Sequence, residues 1–304
     1  MDEPNPGWRS TGLYWEQARP VLTAAAPDRP EHRRHLTQGT YLWLRLSGSR
    51  RCVGFWSSEM RERHPCPGGM AIGPGRVAQC DGCGIVDRGR RIARDQAVDD
   101  REFVLYLAWF GPGLVKVGIT AAERGRDRLL EQAAPAFTFL ARGGLAPIRA
   151  AERTVASAGI ARERIGHKAK SVAWWNLPPR TDRAAHLWDA AVQATEFFPQ
   201  GVTVVAAPEV EDQAVELGLD GGWPDTYGEV TGVGDRSVLG GRVLAVPGRH
   251  LLLDPGEGPP LLVDMRIVAG WPTTPPGRNT IAGITTTRRS RIAEDPHGNQ
   301  DALF

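Results

Sequence analysis

Apolar positions along this chain fall into short runs, and the densest of them opens the stretch from Phe103 to Val155. There F-V-L-Y-L-A-W-F meets a Gly-Pro-Gly turn and continues as L-V-K-V-G-I-T. Two β-rich runs joined by such a turn predict a hairpin. R-G-R-D-R-L-L-E-Q and, later, A-E-R-T-V carry helical spacing, so the expected local order is strand, strand, helix, strand, helix. Upstream, Leu13–Trp15 and Thr40–Leu46 read as strands, the second alternating in character as a half-buried strand does. The polar A-P-D-R-P-E-H-R-R-H between them reads as a loop, with His32 and His35 solvated rather than ligating.

Downstream, Thr181 is expected to cap a helix whose apolar face holds Ala185, Trp188, Ala191 and Val192. From Gly201 the pattern turns to β. V-T-V-V-A-A, V-T-G-V, G-R-V-L-A-V-P-G-R-H-L-L-L-D (two strands of one hairpin) and L-L-V-D-M-R-I-V-A-G suggest an antiparallel sheet or small barrel. Beyond Pro272 the periodicity disappears and a flexible tail is expected. The pattern thus divides an α+β chain into an N-terminal β segment (1–50), a cysteine module and linker (51–100), and a central domain with a helical extension (101–200). A small antiparallel β domain (201–272) and a disordered tail (273–304) follow.

Composition changes this picture in two respects. The 304 residues carry a formal net charge of only +2, so no global attraction to nucleic acid is implied. Of 37 basic residues only Lys116, Lys168 and Lys170 are lysines. Arg abundance beside abundant Ala, Gly and Pro reads as coding bias, so only the placement of an Arg can argue for phosphate binding. Arg88, Arg90, Arg91 and Arg94 accordingly read as a solvated connector, with a phosphate-tracking groove beside the cysteine module as the alternative. No apolar run approaches the roughly 18–20 residues of a membrane span. The start, M-D-E-P-N-P-G-W, lacks a secretory layout. A cytoplasmic protein without membrane contact is expected, in which clustered thiols bind metal more often than they form disulfides.

All four cysteines lie between 52 and 83. Cys80 and Cys83 form C-D-G-C, a chelating turn, while Phe55 stands where Cys52 would have a second thiol. Cys52, Cys66, Cys80 and Cys83 together can close a tetrahedron around structural zinc, leaving no position for substrate. The segment is rich in Gly and Pro and poor in apolar residues, so it needs such a staple. His64 in place of one thiol is the alternative ligand, and four unrelated thiols the alternative without metal.

The central stretch resembles the GIY-YIG nuclease superfamily. V-L-Y (104–106) is similar to its first signature tripeptide and K-V-G (116–118) to its second, with Lys116 in place of the second tyrosine, as in the phage-type K-x-G-x-T branch. The resemblance implies an α/β/α core, preceded here by the zinc-stapled module and followed by the mostly-β domain. It implies Tyr106, Lys116, a helical Arg and Glu152 as catalytic residues, with Glu152 holding Mg²⁺ or Mn²⁺. Arg128 and Arg126 are both candidates for that Arg. They cannot share a helix face, and Arg128 is preferred because Leu129 and Leu130 begin the buried face beside it. Gly118, Thr120, Arg126 and Lys168 are the candidate substrate contacts.

Such a set suits phosphodiester hydrolysis. An Arg fork and one cation stabilise the charged oxygens, and a tyrosine or metal-bound hydroxide accepts the proton of the attacking water. Lys168 and Lys170 lie just before Trp174 and Trp175, which either stack single-stranded bases or pack onto the core. The chain ends Q-D-A-L-F, resembling the bacterial sliding-clamp-binding pentapeptide, with Gln300, Leu303 and Phe304 as anchors. Most of residues 40–272 resemble a bacterial family known only as a domain of unknown function. The expected activity is a metal-dependent nuclease on DNA, ahead of RNA, in repair or replication. Alternatives are a non-catalytic nucleic-acid-binding or clamp-tethered adaptor, and an enzyme of other chemistry on the same scaffold.

Overall fold

A computed structural model describes residues 7–26, 29–57, 62–87, 92 and 99–291. It resolves the chain into two compact units, one formed from residues 1–97 and 226–290 and the other from 98–225 with 291–304. The central domain is therefore inserted into a β unit built from both flanks, and the boundaries expected at 50 and 200 do not match this division.

In the flanking unit, β1 (Arg9–Glu16), β2 (Arg19–Ala25) and β3 (His32–His35) form an antiparallel sheet. β3 occupies the expected loop. Its four side chains are all exposed, so it carries no alternation, and it is a strand through main-chain pairing with β2 alone. His32 rests 5.6 Å from the Trp8 ring. β4 (Tyr41–Leu46) leaves this sheet for a larger one, while β5 (Phe55–Ser57), β6 (Glu62–His64) and α1 (Asp81–Val86) carry the cysteine segment.

The second unit begins with β7 (Phe103–Trp109), buried at every position, and β8 (Val115–Ala121), the expected hairpin. α2 (Gly125–Glu131), β9 (Ala136–Gly143) and α3 (Leu145–Ser157) follow in the expected order. α4 (His167–Ala173) and α5 (Arg180–Thr195) are the helical extension. β10 (Thr203–Val204) and β11 (Glu211–Asp212) pair with β9, and α6 (Ala214–Leu217) closes the unit, so residues 201–225 belong here and not to the terminal β domain. The sheet order is β10-β9-β7-β8, with β7 central.

The two faces of this sheet are distinct. Tyr106, Ala108 and Phe137 pack with Leu129 of α2 on one face. Gly143 pairs with Phe103, and Ile148 of α3 comes within 3.5 Å of the point a Gly143 Cβ would take, placing α3 on the other face.

α5 differs from the expected helix. Its buried residues are Arg183, Leu187, Ala190, Ala191 and Ala194, whereas Trp188 and Val192 are 50% and 51% exposed. Arg183 can be buried because its Nε donates to Asp212 at 2.8 Å, so a charged position rotates the inward face. Pro179 stands at the N-cap, with no side-chain cap from Thr181.

The chain returns to the flanking unit as β12 (Thr226–Gly232), β13 (Val238–Ala245), β14 (His250–Asp254), β15 (Leu261–Asp264), β16 (Thr273–Thr274) and β17 (Thr285–Ser290). With β4 they form a seven-stranded sheet ordered β16-β4-β13-β14-β15-β12-β17, and β13–β14 is the expected hairpin. A Cβ on Gly240 of β13 would stand 2.3 Å from the Leu42 carbonyl oxygen, so the close approach of β13 to β4 requires glycine there. β17 falls within the segment expected to be a disordered tail. Its T-T-T-R-R-S has no apolar side to read, yet β-branched threonines suit a sheet edge. Arg88, Arg90, Arg91 and Arg94 and the Gln300, Leu303 and Phe304 anchors lie outside the described residues.

Candidate functional site

The cysteine segment has almost no regular structure: β5 and β6 hold three residues each and α1 six. Its sulfurs nevertheless converge, and those of Cys52, Cys66, Cys80 and Cys83 all lie within 4.8 Å of one another. Tetrahedral zinc with Zn–S bonds of about 2.3 Å spaces its sulfurs by about 3.8 Å. Cys66 and Cys80 Sγ are 3.8 Å apart. The four thiols can therefore hold a metal such as zinc.

The main chain prepares the cluster. Cys52 Sγ accepts from the backbone N–H of Gly54 at 3.3 Å and of Cys80 at 3.2 Å. The Met70 N–H lowers the Cys66 thiol to about 7, whereas burial pushes those of Cys52 and Cys83 up. Buried thiols that hold their protons give them up when metal binds. Arg50, itself buried, donates to the carbonyls of Gly73 (2.6 Å), Ala269 (2.8 Å) and Arg266 (2.9 Å), tying the segment to the strands of its unit. His64 is no member of the cluster. It stacks on Phe55 at 5.2 Å and faces Glu62.

The second site sits on the β7–β8 hairpin. Tyr106 and Gly118 are cross-strand partners, and Lys116, two residues before Gly118, shares their face. Lys116 Nζ donates to the Tyr106 hydroxyl at 3.1 Å, and Gln132 Nε2 donates to the same oxygen at 2.8 Å. Lys170 Nζ lies 3.7 Å over the Phe110 ring and donates to the Gln132 carbonyl at 3.0 Å. Gln132 thus links Lys170 to the tyrosine that Lys116 contacts directly.

Gly118 is what permits the arrangement. A Cβ there would stand 2.3 Å from the Tyr106 oxygen and 2.6 Å from Lys116 Nζ. Sequence reasoning missed Gln132, a neutral residue at a helix end with no motif to mark it. Lys170 was flagged by the rarity of lysine and by its place before the paired tryptophans, but not as a neighbour of Tyr106.

The other expected residues separate. Tyr106 is 1% exposed, so Lys116 is the more accessible of the pair and Tyr106 positions it. Arg128, part-exposed, places Nη1 3.3 Å from Glu131, and Arg124 places Nη2 2.6 Å from the same buried carboxylate. Arg126 turns instead to Glu216 and, at 3.8 Å, to Glu211, so a substrate contact from it would compete with these carboxylates. Thr120 is buried within β8 and cannot meet a substrate in this structure. Lys168 is exposed, and it is Lys170 that reaches the tyrosine cluster.

Glu152 is half-buried on α3, beside the Ile148–Ala151–Val155 stripe and in the layer opposite Tyr106. Trp174 and Trp175 are core residues. The first lies 4.9 Å from the Trp223 ring, and the second donates to the Pro224 carbonyl at 2.8 Å, so neither offers a stacking face. No helix among the described residues is long and apolar enough to cross a membrane.

Comparison with protein families gives a match over residues 40–273 to the family described as "Protein of unknown function (DUF2797)". No curated protein and no solved structure matches the chain. The chain belongs to the DUF2797 family.

Proposed function

We propose that the central unit is a GIY-YIG-like, divalent-metal-dependent nuclease acting on DNA or structured nucleic acid. The observation that carries this reading is the hairpin constellation, in which Gly118 leaves room for the Lys116–Tyr106 hydrogen bond. A phosphodiester under attack by water gathers negative charge on its oxygens. Lys116 supplies an ammonium held in place by the buried phenol, and Arg128 supplies a guanidinium on the following helix.

Mg²⁺ keeps most of its waters and takes few protein ligands, so one half-buried carboxylate suits it, and Glu152 is the candidate. Bound there, the ion would neutralise phosphate charge. Glu152 and Tyr106 lie in opposite layers, so the metal assignment is independent of the Lys116 site and Glu152→Ala tests it by itself.

The test is incubation with Mg²⁺ or Mn²⁺ and a panel of DNA and RNA structures. Lys116→Ala and Glu152→Ala should each lower cutting by on the order of a hundredfold. Cutting that survives Glu152→Ala removes the metal assignment. The burial of Tyr106 also favours a second reading, a binding adaptor without chemistry. Salt-sensitive binding with no cutting under any metal selects it. In either reading the Q-D-A-L-F end is proposed to tether the protein to a sliding clamp. Deleting residues 300–304 should abolish clamp pull-down without altering thermal unfolding, and undiminished capture by the truncated protein would remove the tether.

A further inference from the structure

Arg162 is brought to the Lys116 site by its main chain. Its N–H donates to the Val115 carbonyl at 3.0 Å, and its carbonyl accepts from the Val117 N–H at 3.0 Å. It thereby makes a parallel bridge with Lys116 itself. Residues paired in this way leave a sheet from the same face, on chains about 4.8 Å apart. Lys116 shares its face with Tyr106 and Gly118, so Arg162 emerges beside the ammonium and on the same side. Three residues later Ile165 packs against the Tyr106–Leu129–Phe137 cluster, which fixes the segment at a second point.

Several other arginines in this unit face carboxylates: Arg124 and Arg128 face Glu131, Arg126 faces Glu216, and Arg183 faces Asp212. Arg162 is exposed, and its side chain makes no hydrogen bond or ion pair among the described residues. The neighbouring Glu163 is also exposed. Like charges directly opposite on paired chains are unfavourable on their own. An anion between them reverses the sign, and a guanidinium fork matches the oxygens of a phosphate.

We propose that Arg162 is a phosphate-binding residue of the Lys116 site, and that its ligand is the phosphodiester backbone of a nucleic acid strand. The inference rests on reading the Tyr106 face as the nucleic-acid face, but not on catalysis. Such a contact adds affinity without reading sequence.

The test is fluorescence anisotropy of the full chain with labelled single-stranded DNA, duplex DNA and an RNA hairpin, in EDTA so that nothing is cut. Arg162→Ala should weaken binding about tenfold, with the slope of log affinity against log salt smaller by about 1. Arg162→Lys should restore part of the affinity. Combined with Lys116→Ala, the loss should fall short of the product of the single losses, because both groups serve one phosphate. Arg180→Ala, an exposed arginine at the start of α5, should change binding less than twofold. Thermal unfolding of Arg162→Ala should match wild type, since the bonds that place Arg162 are main-chain. Wild-type affinity in Arg162→Ala, an equal loss in Arg180→Ala, or no nucleic-acid binding by the wild-type chain would each overturn the proposal. Binding that depends on Arg162 in a protein that never cuts would overturn only the nuclease reading.

Discussion

Metal removal is expected to abolish the order of residues 52–86. Elemental analysis of the purified protein should find about one zinc per chain, and a strong chelator should leave amide exchange across this segment close to that of an unfolded chain. The reason is how little else holds it beyond the Arg50 bonds and a few main-chain contacts. A six-residue helix is far too short to persist by itself, and the strands beside it contribute three residues each. Met70, Val77, Ile85 and Val86 are at least half exposed, so burial adds little. Structural zinc in small peptides contributes about 10–16 kcal/mol of apparent binding energy, which here becomes folding energy.

Replacing Cys83 by Ser should cost more than about a hundredfold in zinc affinity, since changes to groups behind the ligands already cost 10–100-fold. The pH dependence has a definite sign. Burial pushes the Cys52 and Cys83 thiols up, so protons compete with the metal, and zinc affinity should fall as pH drops from about 8 to about 6. A metal-free protein in which Cys52–Val86 stays protected from exchange would show that the cluster is not a structural staple.

This site was readable in the sequence because ligand spacing is local: C-D-G-C announces a chelating turn, and the remaining thiols have few alternatives. The β7–β8 hairpin was readable for a related reason, as a strand buried on both faces reads as an unbroken apolar run. Strand pairing at long range was not readable. Nothing in Y-L-W-L-R-L says that its partner is β13, nearly two hundred residues away, so the insertion of one unit into another left no local trace. Edge strands fail differently. β3 and β17 turn polar or exposed residues to solvent and are specified by main-chain bonds, which no side-chain pattern reports.

At the candidate site, V-L-Y and K-V-G singled out Tyr106, Lys116 and Gly118, but periodicity could not say which groups would meet. Arg126 reads as available for substrate because Glu211 and Glu216, distant in sequence, do not reveal that they lie beside it. The case of Arg183 is similar. A charged residue on the buried side of α5 becomes intelligible only with Asp212 against it, and without that ion pair the pattern makes Trp188 and Val192 the natural inward face. Arg162 was hidden by its setting in a short segment after α3, where only the bridge to β8 gives it meaning.

Gly118→Ala is expected to disrupt the constellation from its centre. The new Cβ would fall 2.3 Å from the Tyr106 hydroxyl and 2.6 Å from Lys116 Nζ. The lysine can swing away, but the phenol belongs to a ring packed among Leu129, Phe137 and Ala108. Overpacking of this kind costs about 1–3 kcal/mol. In a unit of this size that lowers the unfolding midpoint by about 2–4 °C per kcal/mol. Any activity or nucleic-acid binding that depends on Lys116 should fall with it, because the Lys116–Tyr106 bond and the Gln132–Tyr106 bond cannot both survive a displaced hydroxyl. A double-mutant cycle separates this cause from a general weakening of the strand. Tyr106→Leu removes both the hydroxyl and the ring carbon Cζ, which would stand 2.3 Å and 2.5 Å from the new Cβ, so Gly118→Ala should cost at least about 0.5 kcal/mol less in the Tyr106→Leu background than in wild type. Strict additivity of the two changes would mean that the phenol is not what excludes a side chain at 118, and the tight packing of phenol, ammonium and glycine would lose its role as the organising contact of the site.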